Sequence, residues 1–108
     1  MIEKVIIVEG KNDRARMRQV LDEPVEIICT HGTLSVEKLE RFIYPVEDLD
    51  VFILVDEDDA GIKLRRQLMH ELPNAVHLYI EKEFRQVETT PLHYLQDLLG
   101  EYFAVKNY

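Results

Sequence analysis

Two short stretches carry residue types that can do chemistry. One is Asp56-Glu57-Asp58-Asp59-Ala60-Gly61, four consecutive carboxylates followed by a glycine; the other is Glu9-Gly10-Lys11-Asn12-Asp13. Carboxylates packed this closely raise one another's pKa and oppose a compact fold unless a cation sits among them. Magnesium suits such a loop, because it is a hard ion held by one or two carboxylates, with waters and substrate phosphate completing its shell; manganese is the close alternative. In an extended loop Asp56 and Asp58 point to one side and Glu57 to the other. Asp56 and Asp58 are therefore the expected metal ligands. Glu57 is expected to be solvated or charge-paired, and Asp59 to support the ligands or cap the next helix. Glu9 would be a third ligand, or a general acid or base if its neighbours raise its pKa. Gly61 leaves space for a phosphate to approach helix amides. Gly10, Gly61 and Lys63 are the groups expected to face a substrate phosphate.

These loops need a scaffold that brings them together. Val5-Ile6-Ile7-Val8 is a β-branched apolar run of the kind found in buried parallel strands. Glu9-Gly10 follows it, and Asn12 or Asp13 caps a helix over about residues 13–22, stopped by Pro24. A second strand spans 25–29. After the turn Thr30-His31-Gly32-Thr33, Ser35 caps a helix running to about Tyr44, where Pro45 closes it. The third strand covers 49–55, and the acidic loop then leads into a helix with Leu64, Leu68 and Leu72 on one face. A fourth strand is expected over 76–80 and a last helix from Pro91 to Leu99, stopped by Gly100. The tail 101–108, with Tyr102, Phe103 and Tyr108, is expected to pack on the sheet or on another copy.

Four strand-helix alternations predict an α/β fold: three α/β/α layers around a parallel four-stranded, Rossmann-like sheet. One domain spanning residues 1–108 is expected. In open sheets of this kind ligands bind beyond the carboxyl ends of the strands. Glu9 and Asp56–Asp59 both follow strands, so they converge if strands one and three are neighbours.

Composition narrows the function classes. With 46% hydrophobic and 31% charged residues among 108, the chain reads as a globular protein. Its apolar runs are too short to span a bilayer, so no membrane role is expected. Glu3 and Glu9 bracket the first apolar run, which is unlike a secretory leader. The lone Cys29 allows no internal disulfide and suits a reducing cytoplasm, and it is expected to be a buried structural thiol. The net charge of −8 is unlike a general nucleic-acid-binding surface. Yet Lys11, Arg14, Arg16 and Arg18 cluster after one acidic loop, and Lys63, Arg65 and Arg66 after the other. Phosphate contact and simple solvated helix faces are the two readings of these cations. The four histidines show no metal-ligand spacing, and only His31 falls near the expected site.

The pairing of Val8-Glu9-Gly10-Lys11-Asn12-Asp13 with Asp56-Glu57-Asp58-Asp59-Ala60-Gly61 resembles the Toprim domain, the catalytic module of topoisomerases, bacterial primases, certain nucleases and recombination proteins. The likeness covers essentially the whole chain. It is strongest to the Toprim part of the ribonuclease that matures 5S ribosomal RNA, with Gln86-Val87-Glu88 and Pro91 resembling its approach to the final helix. The resemblance implies a magnesium-dependent core acting on nucleic-acid phosphodiester bonds. Glu9 would be the general acid or base, Asp56 and Asp58 would bind magnesium, and Lys11 would be the nearest cation to the reacting phosphate. Lys63 or Arg65 would add contacts to phosphate. The nucleic acid is expected to be RNA, held with help from a partner protein or a homodimer. The alternative is a non-catalytic metal-binding Toprim module serving a nucleic-acid-processing complex. A phosphoacceptor receiver domain fits less well, because Glu9-Gly10 and Glu81-Lys82 stand where receivers carry other residues.

Overall fold

The computed structural model describes residues 2–107. Four strands, β1 (Lys4–Val8), β2 (Glu26–Cys29), β3 (Asp50–Leu54) and β4 (Val76–Leu78), form one parallel sheet in the order β2-β1-β3-β4. Helices α1 (Lys11–Val20), α2 (Val36–Lys38), α3 (Asp59–Glu71) and α4 (Leu92–Leu99) lie between or after them. β1 pairs with β2 through Val8↔Cys29 and with β3 through Ile7↔Ile53. The chain therefore leaves β1 in one direction and returns to β3 on its other side. That reversal opens a crevice between the carboxyl ends of β1 and β3, the place where such sheets bind ligands.

Both faces of the sheet are covered, and side-chain alternation divides them. Ile6, Val8, Phe52 and Leu54 pack with Met17 and Val20 of α1 and Leu95 and Leu99 of α4. Val5, Ile7, Val51 and Ile53 pack with Ile43 and with Leu64 and Leu68 of α3. Central parallel strands buried on both faces need apolar residues at every position, which explains the unbroken run Val5–Val8.

Several boundaries differ from the sequence expectation. α1 begins at Lys11 because Gly10 is its cap residue; Asp13 lies inside the first turn and accepts the Gly10 amide at 3.0 Å. The helix expected over 35–44 is a short α-turn that continues as a π-helical stretch, Leu39–Ile43, and a 3-10 turn, Tyr44–Val46. Pro45 accounts for this: it lacks an N–H and its ring crowds the preceding turn, so the last turns widen instead of closing as α-helix. β4 stops at Leu78 rather than at 80. The tail packs on its own chain. Phe103 is buried against Phe52 with ring centroids 4.7 Å apart, and Val105 bridges to Leu21. Tyr108 lies outside the described residues. No helix among the described residues is long and apolar enough to cross a membrane.

Candidate metal centre

The pairing of β1 with β3 sets Glu9 beside the Asp56 loop. Carboxylate oxygens of Glu9, Asp56 and Asp58 all lie within 4.8 Å of one another. Oxygens that share one magnesium lie about 3–4 Å apart, twice the metal–oxygen distance at most, so the three need only a small contraction. Each carboxylate is aimed by a backbone amide. Glu9 Oε1 accepts from the Asp56 amide at 2.8 Å, Asp56 Oδ1 from Val87 at 2.8 Å, and Asp58 Oδ1 from Gly61 at 2.8 Å. One oxygen of each is thus anchored, and the second has no hydrogen-bond partner among the described residues. A donor set of three half-buried carboxylates, each with an uncommitted oxygen, suits a hard divalent cation.

The electrostatics agree. Burial, followed by repulsion from Asp56, Asp58 and Asp13, pushes the Glu9 carboxyl above its ordinary pKa despite the bond from the Asp56 amide. Burial also raises Asp56, with Asp58 and Glu88 adding repulsion. These carboxylates gain most from a cation that removes the repulsion.

The cluster opens into a shallow cleft of about 400 Å³ whose lining includes Glu9, Lys11, Asp13, His31, Asp56 and Glu88. Lys11 and His31 are in the cleft as expected, both exposed. His31 is held there by the turn it occupies. Its φ of 52° is left-handed, its amide donates to the Glu9 carbonyl at 2.8 Å, and Lys38 Nζ donates to the carbonyls of Thr30, His31 and Thr33. Cys29 is buried, as expected, with its thiol on the Gly10 carbonyl at 3.4 Å.

Five placements differ from the sequence reading. Gly61 does not hold space open for a ligand: a Cβ there would stand 2.0 Å from the Asp56 carbonyl oxygen and 3.0 Å from Glu9 Oε1, and its amide is taken by Asp58. The room is used by the protein's own backbone and carboxylate. The Gly10 amide is likewise committed, to Asp13. Of the two fates expected for Glu57, the structure shows the charge-paired one: it is folded inward against Arg65 Nη2 at 3.5 Å. Arg65 is itself buried, donates to the Leu78 carbonyl at 2.9 Å and lies over the Tyr79 ring at 4.0 Å, so it is not placed to meet a substrate phosphate. Lys63 is exposed on α3 and does not line the cleft. The helix cap is Asp58, not Asp59.

Two cleft residues were missed by the sequence reading. Asp13 is buried, with its carboxyl pushed up to about 6 by burial, against the bond from Gly10 and helped by Asp56 and Glu88. Its spacing three residues after a helix cap was the available signal. Glu88 reaches the cleft from the loop after β4; it belongs to the Gln86-Val87-Glu88 segment that resembles the ribonuclease, but that likeness gave it no place at the site.

Comparison with known proteins agrees with this arrangement. The Toprim domain family matches residues 4–92. The uncharacterized protein YusF of Bacillus subtilis is 45% identical over 98 residues, covering 91% of this chain and 67% of that protein. Ribonuclease M5 of Mycoplasma genitalium is 33% identical over 85 residues, covering 78% of this chain and 47% of the enzyme. The chain thus spans about half the length of that ribonuclease. A small TOPRIM domain protein from Bacillus stearothermophilus superposes with a TM-score of 0.90 at 45% identity, covering 98% of this chain and 91% of that one. With the sheet order, the paired loops and these likenesses together, the chain belongs to the Toprim family.

Proposed function

We propose that residues 1–108 form a single Toprim unit that binds magnesium through Glu9, Asp56 and Asp58 and acts on phosphodiester bonds of nucleic acid, RNA in particular. The observation that carries this reading is the convergence of those three carboxylates, within 4.8 Å, at the switch point of the sheet. The relatives named ribonuclease M5 support RNA as the substrate class. Bound magnesium would supply Lewis-acid stabilisation of charge developing on phosphate oxygens. Asp56 and Asp58 would hold the ion with the oxygens that the backbone leaves uncommitted. Glu9, whose carboxyl is raised by burial and by its acidic neighbours, is placed to hold or release a proton at its carboxylate. Lys11, exposed on the cleft wall, would offset phosphate charge. Gly10, Gly61 and Lys63 have at most supporting parts in phosphate binding. Manganese is expected to substitute.

A second reading is a metal-binding Toprim unit without turnover, serving a nucleic-acid-processing complex through a partner protein or a homodimer. The net charge of −8 favours it, because a polyanion is gripped poorly by an acidic chain acting alone. Magnesium binding separates both readings from none. Millimolar magnesium should raise the melting temperature of the wild type and leave Asp56→Asn unmoved; equal shifts in both would dismiss the site. A cleavage screen on structured RNA and DNA, with Glu9→Gln as control, then separates enzyme from module. Cleavage that depends on Glu9 marks the enzyme. Metal binding with no cleavage, alone or with a copurifying partner, marks the module.

A further inference from the structure

The four cations that sequence groups together on α1 do not share a fate. Arg16 turns toward the 87–90 loop, where its guanidinium donates to the Thr90 carbonyl. Lys11, Arg14 and Arg18 stand at positions i, i+3 and i+7, which is one face of a helix. Among the described residues their side chains make no ion pair or hydrogen bond, and the Nε of Arg14 is buried without a partner. A chain with 21 acidic residues against 13 basic ones has ample carboxylate to neutralise them, yet leaves this face unpaired.

The three are continuous with the carboxylate site. Lys11 lines its cleft, and Arg14 and Arg18 line the neighbouring hollow of about 480 Å³ along the edge strand β2. Glu23 and Glu26 also border that hollow. Glu23 is already engaged, by Lys4 at 3.3 Å and by the Ala104 amide at 2.6 Å. Glu26 is exposed and makes no ion pair among the described residues. At about 1.5 Å of rise per residue the three cations span roughly 10 Å of helix axis. One strand of a nucleic acid places a phosphate every ~3.4 Å of duplex axis, so about three phosphates fit beside them.

We propose that the Lys11–Arg14–Arg18 face of α1 is the track along which the RNA backbone leaves the carboxylate cleft, with Arg14 and Arg18 each contacting a phosphate. This rests on the nucleic-acid reading above and adds a direction to it: the strand runs from the cleft along α1 toward β2, away from α3. Charge complementarity selects the occupant, because a guanidinium row without ion pairs among the described residues, beside the proposed phosphodiester site, matches a polyanion.

Fluorescence anisotropy of a labelled single-stranded RNA, titrated with the protein in magnesium at several salt concentrations, tests it. The Arg14→Gln/Arg18→Gln double variant should bind about tenfold more weakly. The slope of log affinity against log salt should fall by about 1.4, two contacts at ~0.7 each. Arg41→Gln/Arg66→Gln, which removes two cations elsewhere, should match wild type. Because Arg14 is half-buried, Arg18→Gln alone is the second variant; it should lower the slope by about 0.7 with an unchanged melting temperature, and Arg18→Lys should restore it. Wild-type binding with equal slopes in all variants would overturn the track and leave the nucleic-acid reading standing. Absence of wild-type binding to RNA would overturn both. Binding to DNA of the same sequence but not to RNA would overturn the choice of RNA.

Discussion

The two loops that make the site look alike in sequence, each an acidic run with a glycine and then a basic helix, but they differ in what they do with their cations and their glycines. The β3–α3 loop is braced on every side. The Asp56 amide is tied to Glu9, its carboxylate to Val87, the Glu57 amide to the Arg85 carbonyl at 2.7 Å, the Glu57 carboxylate to Arg65, and Asp58 to Gly61. The β1–α1 loop is tied to itself through Asp13 on the Gly10 amide and the Arg14 amide on the Gly10 carbonyl, and to its neighbours through Glu9 on the Asp56 amide, the His31 amide on the Glu9 carbonyl and the Cys29 thiol on the Gly10 carbonyl. Their cations set them apart. Arg65 is spent inward on the Glu57 carboxylate of its own loop, whereas Lys11 and Arg18 are exposed, Arg14 is half-buried, and none of the three makes an ion pair among the described residues. One loop presents two half-buried carboxylates, Asp56 and Asp58, on a tightly bonded backbone; the other presents a third, Glu9, and a charged helix face. Equal charge in sequence is therefore no guide to role: what decides is whether the fold buries the cation against its own acids.

The sharpest break in that comparison is between the two glycines. An alanine Cβ at Gly61 overlaps the Asp56 carbonyl oxygen at 2.0 Å, a backbone atom that cannot step aside, while at Gly10 the nearest atom is Asp13 Oδ2 at 4.0 Å. Gly10 also has an extended backbone, φ −143°, that alanine adopts freely. Gly61→Ala should cost on the order of 4 kcal/mol and abolish magnesium-dependent stabilisation; Gly10→Ala should cost less than about 1 kcal/mol. Paired urea denaturation measures both. Equal losses would mean that the two loops are equally braced.

Arg65 comes next. Its removal leaves the Glu57 carboxylate largely buried beside Asp56 and Asp58 with no cation. Breaking one side of a buried pair costs about 3 kcal/mol or more, so Arg65→Met should destabilise the apo protein by about that much. Adding Glu57→Gln should recover a good part of the loss, since the unpaired charge is then gone. A double-mutant cycle with near-zero coupling would show that Arg65 acts only through the Leu78 carbonyl and the Tyr79 ring.

Much of this was legible from residue order, and the limits have physical causes. Unbroken apolar runs such as Val5–Val8 announce a strand covered on both faces. Glu9-Gly10 and Asp-x-Asp after strands announce the carboxyl edge, which parallel pairing makes a single place. The fate of Glu57 was open, because loop alternation points it away from Asp56 and Asp58 without saying whether solvent or a buried arginine waits there. Arg65 sits among Leu64 and Leu68 on a face whose depth depends on β4 and Tyr79, distant in sequence. Gly61 could be read as room for a ligand only until the Asp56 carbonyl was seen to fill it. The helix after Ser35 failed for a local reason: Pro45 distorts the turns before it, and a pattern of apolar spacing does not register that.

The smallest expected effect lies in the β1–α1 loop and is a dependence on pH. Asp13 holds its proton up to about 6 in the folded protein, against an ordinary value of 3.8. Between those values the folded state binds more protons than the unfolded chain, so stability falls as pH rises. The contribution of protonated Asp13 is complete below pH 4 and is lost as pH passes through 6. Glu9 and Asp56 are shifted in the same direction and add to the slope. Asn at position 13 can still accept the Gly10 amide but carries no charge. Asp13→Asn should therefore make the metal-free protein about 1–2 kcal/mol more stable at pH 7 and leave it unchanged at pH 4. Urea midpoints at the two pH values, taken in chelator, give the comparison. If the variant gains nothing at pH 7, the acidity of this loop is relieved elsewhere, and Lys11 and Arg14 are neutralising Asp13 rather than waiting for a phosphate.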